Sequence, residues 1–160
     1  MAKFQLSETI HSERVDTVRL GNLGVANQYS DTEVGKFVKL AGDSRYVLAA
    51  VGDPIEAIVT STEQGTVDGY TIGGVVRRGM KEVILDGVQA TPGTGIVAVN
   101  DLVVVGTVVA KDTRLNHGTF KASPKVCKAT SQAPGLHNWR VEALLDGSGA
   151  VGNRAIIVRI

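Results

Sequence analysis

A single cysteine, Cys127, stands in a chain of 160 residues. No intramolecular disulfide is possible, so the fold has to close by packing alone, a usage compatible with a reducing cytoplasm. Cys127 lies in an apolar run and reads as a small half-buried hydrophobe, not a reactive thiol. Aromatic residues make up only 4% of the chain, which leaves the core to Val, Ile, Leu and Ala and few rings to stack on sugars or bases. Trp139 falls on the apolar side of an alternating run and is expected in the core. No apolar run approaches the roughly 20 residues of a membrane span. Lys and Arg are scattered and the net charge is +1, so neither nucleic acid nor an anionic membrane is an expected partner. The opening stretch, MAKFQLSETIHSERVD, has acidic residues and no apolar core run, so no secretory signal is expected.

Assembled chemistry is missing too. Asp53 and Glu56 are three residues apart, which on an extended chain sends them to opposite faces, and they read as turn and rim residues instead of a carboxylate pair. His11, His117 and His137 have no metal-ligand spacing with one another or with Cys127. Gly93-Thr94-Gly95 follows a proline, not a strand, and reads as a turn in place of a phosphate cradle. Gly79-Met80-Lys81 shares two residues with the Met-Lys hairpin on which biotin is carried. Glu82-Val83 follow, and Lys81 reads as a surface lysine opening a strand. No catalytic, cofactor-binding or metal residue is expected, and the chain reads as a protein that is not an enzyme.

What is present is a succession of short apolar runs separated by turn chemistry. Nineteen glycines and clusters such as Gly52-Asp53-Pro54, Glu63-Gln64-Gly65, Asp68-Gly69 and Arg78-Gly79 mark turns. Strands are predicted at 17–20, 35–41, 45–51 and 55–62. In the last of these Ile55, Ala57 and Val59 share a face while Ile58 covers the other. Residues 70–77 and 81–85 read as a hairpin joined through Arg77-Arg78-Gly79-Met80, with Gly73-Gly74 marking a bulge or bend. Ile96–Val99 and Leu102–Ala110 read as the most apolar strands, turned at Asn100-Asp101, the second interior because its valines point both ways. Val126–Thr130 is a further strand. Trp139, Val141, Ala143 and Leu145 alternate with polar residues, predicting a strand with one wet face. Arg154–Ile160 reads as a closing strand paired inside a sheet. One helical turn is expected near Ser30–Glu33. Eight to ten short strands at spacings of about 8 to 12 residues predict one all-β domain over 17–160, barrel-like because glycines sit within strands.

Residues 1–16 carry no Gly or Pro and no sustained period. They read as an extended N-terminal arm without a core of its own, able to reach roughly 50 Å at ~3.3 Å per residue from a domain of ~15 Å radius of gyration. Phe4, Leu6 and Ile10, evenly spaced, would face one way on such an arm.

The run Gly52-Asp-Pro-Ile-Glu-Ala-Ile-Val-Thr-Ser-Thr-Glu63, followed by Gly65-Thr-Val-Asp-Gly-Tyr-Thr-Ile-Gly-Gly74, resembles the capsid cement (head decoration) proteins of tailed bacteriophages. In that family a Gly-Asp-x-Ile-Glu-Gly turn-strand precedes a Thr-Val-Asp-Gly-Tyr-Ser-Phe-Gly segment. Ala57 stands here for the usual glycine and Ile72 for the usual phenylalanine. The resemblance covers about a quarter of the chain. It implies a small β-barrel or β-tulip that coats the outer surface of the virion capsid after synthesis in the host bacterial cytoplasm. It also implies the major capsid protein as partner, a homotrimer or else a dimer, and capsid contact through Phe4, Leu6 and Ile10. A glycan-binding β-barrel module is the alternative function.

Overall fold

The computed structural model describes residues 15–22, 25, 28–64, 71–115 and 120–160. Five strands of the amino-terminal half, β1 (Val15–Leu20), β2 (Phe37–Leu40), β3 (Arg45–Leu48), β4 (Ala57–Glu63) and β5 (Thr71–Val76), close into a barrel in the order β1-β3-β2-β4-β5. Closure is made by β1, which runs parallel to β3 with Leu20 opposite Tyr46 and antiparallel to β5 with Val15 opposite Val76. A closed sheet has no free edge, which removes the backbone donors and acceptors that would otherwise invite aggregation. The predicted Gly73-Gly74 irregularity is present, but the extra residue sits on the facing strand. The register of β4 against β5 slips between Val59 and Ser61, opposite Gly74. Glycine is needed at 73 because a Cβ there would overlap the Ser61 carbonyl and the Leu20 side chain; a strand bulged at one point and stripped of side chains at the next can bend sharply enough to close.

The carboxy-terminal half forms β6 (Met80–Val88), β7 (Thr91–Pro92), β8 (Val103–Val105), β9 (Val109–Ala110), β10 (Ala122–Ser123), β11 (Lys125–Lys128), β12 (Trp139–Leu144) and β13 (Arg154–Arg159). Six of these make a sheet ordered β12-β13-β6-β11-β8, with β7 pairing β6 beyond the end of β13, while β9 and β10 pair as a separate ribbon. The sheet curls until its outer strands meet. Leu102 bridges Arg140, the Asn100 amide donates to the Val141 carbonyl at 2.8 Å, and the Val141 amide donates to the Asp101 carbonyl at 2.9 Å. As the terminal apolar run suggested, β13 is interior, flanked by β12 and β6.

Both halves contribute to one core. Tyr46, Val38 and Ile58 of the barrel belong to the same buried cluster as Trp139, Ile157, Val83 and Val105 of the curled sheet. Each large apolar side chain so removed from water contributes about 1.5 to 3 kcal/mol before chain entropy is counted. Ala57, Ile58 and Val59 are all inaccessible, in keeping with a strand covered on both sides. On β8 the alternation serves two cores: Val103 and Val105 join the main cluster, whereas Val104 packs with Leu102, Cys127 and Ala129 in a second. The helical turn near Ser30 is a 3-10 turn, Asp31–Glu33, closed by a capping box in which the Ser30 amide donates to the Glu33 carboxylate at 2.8 Å.

Several expectations need correction. β5 and β6 are not a hairpin: β5 pairs β4 and β1, whereas β6 pairs β13, β11 and β7, so Arg77–Gly79 is the crossover between barrel and sheet. Ile96–Val99 is not a strand, and Ile96 and Val99 are exposed about a buried Val97. The predicted strand 102–110 breaks at Gly106, and Val108 is exposed. In β12 the register against β13 shifts between Val141 and Ala143, so Leu144, not Leu145, packs against the core. Lys81 is buried, 4% exposed, where a surface lysine was expected. Of the expected arm, only Val15 and Asp16 are described, and both already belong to β1; Phe4, Leu6 and Ile10 lie outside the described residues.

Candidate functional site

Of the described residues that carry the resemblance, the Gly52-Asp53 turn sits at the seam between the two halves. Ahead of β4, the Gly52 amide donates to the Val105 carbonyl at 2.8 Å and the Val105 amide donates to the Asp53 carbonyl at 3.0 Å. The turn thereby covers the side of β8 that faces away from β11. The Asp53 side chain anchors this turn, its carboxylate accepting from Lys39 Nζ at 2.6 Å and from the Ala50 amide at 2.7 Å. Burial alone would raise its pKa, but the Lys39 ammonium and the Ala50 amide outweigh burial and hold the carboxyl below its ordinary value. Asp53 is therefore the turn residue that its sequence suggested, and Glu56 points instead toward Arg159, 3.9 Å away. Of the second motif segment, Thr71–Gly74 forms the start of β5; 65–70 lies outside the described residues.

A second seam is organised by arginines, and it is hidden in the sequence because Arg77-Arg78 has the look of a hairpin loop. Arg159 Nη1 on β13 donates to the carbonyls of Glu56 at 3.1 Å and Arg77 at 2.9 Å. It ties the entry into β4 to the exit from β5. The Arg77 guanidinium lies over the Tyr46 ring, 5.2 Å from its centroid, and its Nε stands 3.4 Å from the Asp16 carboxylate. Burial pushes the Tyr46 phenol up, against the pull of Arg77. A signal for this cluster was present in the adjacent arginines, but only the crossover brings them to Asp16 and Tyr46.

Two further polar clusters have structural duties. Asp86, on β6, accepts from the Thr107 amide at 2.9 Å and the Thr107 hydroxyl at 2.8 Å, and Lys125 Nζ lies 3.5 Å from its other oxygen. Cys127 packs behind it, inaccessible, and burial together with the Asp86 charge pushes its thiol up to about 11. Such a thiol is a poor nucleophile, in line with its sequence reading. At the surface, hydrogen bonds from the Arg114 side chain and amide hold Asp112 at a pKa of about 2. Arg154, the first residue of β13, bonds Asp146 at 2.7 Å and the Arg114 carbonyl at 3.2 Å, joining two loops to that strand.

Among the described residues, no three His, Cys, Asp or Glu side chains converge as metal ligands, and His137 stands in the loop before β12. His11 and His117 lie outside the described residues. Trp139 is wholly buried in the core, as its place in the alternation predicted. What the described geometry offers is an arginine cluster at the crossover between a closed barrel and a curled sheet. No protein-family model, curated protein or solved structure matches this chain.

Proposed function

We propose that this chain is a non-catalytic capsid cement protein that binds the outer surface of a phage head and bridges neighbouring copies of the major capsid protein. The observation that carries the reading is the likeness of Gly52–Glu63 and Gly65–Gly74 to the decoration-protein segments. It is supported by where the described part of that stretch falls: the Gly52-Asp53 turn covers β8, and β4 and β5 close the barrel. A likeness in such residues is a likeness in what determines the fold. In this reading Phe4, Leu6 and Ile10 lie along the shell on an arm that offers main-chain groups to the capsid protein. Several copies, as a homotrimer or else a dimer, gain effective concentration by engaging adjacent capsomers together. No cofactor takes part.

The test is direct imaging. Recombinant protein mixed with purified undecorated heads of tailed phages should co-sediment, and particle reconstructions should show barrel-sized density on the outer surface at a copy number commensurate with the lattice. Empty sites on every class of head, with retention on immobilised glycans instead, would replace this reading by that of a glycan-binding module.

A further inference from the structure

We propose that the groove between β1 and the Arg77–Gly79 crossover is a docking site for an acidic side chain of a partner polypeptide. It encloses about 470 Å³ and is lined by Asp16, Thr17, Val18, Arg77 and Arg78, within the ~300–1,000 Å³ range of ligand clefts. Arg77 is held before any ligand arrives. Its carbonyl is bonded by Arg159, its guanidinium lies over the Tyr46 ring, and its Nε faces Asp16 at 3.4 Å without a hydrogen bond. No described residue accepts a hydrogen bond from its terminal nitrogens. Arg78, exposed at the groove wall, makes no ion pair with any described residue.

The charge balance selects the ligand. Among the described residues of the lining, two guanidinium groups stand with one carboxylate, an excess of one positive charge that a further carboxylate neutralises. The planar arginine fork accepts a carboxylate through two parallel hydrogen bonds. A phosphate, with its larger charge, would be held against Asp16, whereas the methylenes of a Glu or Asp side chain meet Val18. The groove exceeds the size of one carboxylate, leaving room for the backbone on either side of it. This site rests on the groove's own chemistry and stands whether or not the partner is a capsid.

The experiment follows the arginine Nε–Hε resonances of the full chain by NMR during titration with acetyl-Gly-Glu-Gly-amide, with acetyl-Gly-Gln-Gly-amide and inorganic phosphate as parallel arms. The Glu peptide should shift the Arg77 and Arg78 signals saturably and the Gln peptide should not. Arg78→Glu, at an exposed position, should weaken the response about tenfold with an unchanged melting temperature, and Asp16→Asn should strengthen it. Absence of saturation, an equal response to the Gln peptide, tighter binding of phosphate than of the Glu peptide, or indifference to Arg78→Glu would each overturn the assignment.

Discussion

Asp86 and Lys125 face one another across the parallel pair β6 and β11, with Lys125 Nζ 3.5 Å from an Asp86 carboxylate that is only 3% exposed. The same carboxylate holds the Thr107 amide and hydroxyl through its other oxygen. Asp86→Ala would remove the partner of the part-buried Lys125 ammonium and of the Thr107 amide. It is expected to cost about 3 kcal/mol, the scale of a broken buried ion pair with its hydrogen bonds. Asp86→Asn, which keeps an acceptor for Thr107, should cost less. Urea unfolding with an unchanged m-value decides this, and equal stability of wild type and Asp86→Ala would refute it.

Gly149 is set against the 96–99 segment: the Val97 amide donates to its carbonyl at 3.0 Å, and a Cβ on Gly149 would overlap the Val97 backbone. Since the obstacle is backbone and not a pliable side chain, Gly149→Ala should destabilise by about 2 to 3 kcal/mol. Gly147, at φ 80° with open space around it, should lose only the ~1 to 2 kcal/mol of a left-handed alanine. Thermal melting of the two variants would show the larger drop at 149.

Cys127, inaccessible and with its thiol pushed up to about 11, should resist alkylation in the folded protein. At pH 8 such a group is only ~0.1% thiolate, against roughly a tenth for a thiol at the ordinary 9.0. Labelling by iodoacetamide should follow global unfolding, and rapid stoichiometric labelling without denaturant would contradict the packing. Stability is linked with a definite sign. The folded-state pKa lies above the ordinary 9.0, so the contribution is fully present below pH 9 and is lost as pH rises toward 11.

The bulge in β12 makes a contrast between neighbours. Leu144 packs against the core whereas Leu145 is 40% exposed. Leu144→Ala should cost about 2 kcal/mol and Leu145→Ala less than about 0.5 kcal/mol. The reverse order in chemical denaturation would restore the unbroken alternation over 139–145.

That contrast also shows how far the pattern could be read. Trp139 and Val141 face inward as their spacing predicts, because side chains alternate strictly on a regular strand. Past Val141 the register slip reverses the faces, and nothing in the run Glu142-Ala143-Leu144-Leu145 announces an extra residue. The arginine groove was illegible for a related reason: Arg77 and Arg78 were visible as a turn, but Asp16 and Tyr46 reach them only through β1 and β3. Ile96 and Val99 look like core residues by composition, yet only Val97 between them is buried.

The amino-acid sequence by itself determined the all-β class, the placement of β2, β4, β11 and β13, the helical turn near Ser30 and the burial of Trp139. These follow from turn chemistry, period-two alternation and side-chain hydrophobicity, which act over a few residues. Only the tertiary structure decided the pairing. β6 follows β5 after a three-residue connection, yet it pairs with β13, Met80 facing Val158, while β5 returns to β1 to close the barrel. Any apolar strand offers the same backbone donors and acceptors to any other. The choice among partners rests on which arrangement leaves no open edge and buries both faces at once, a condition on the whole chain and not on any part of it.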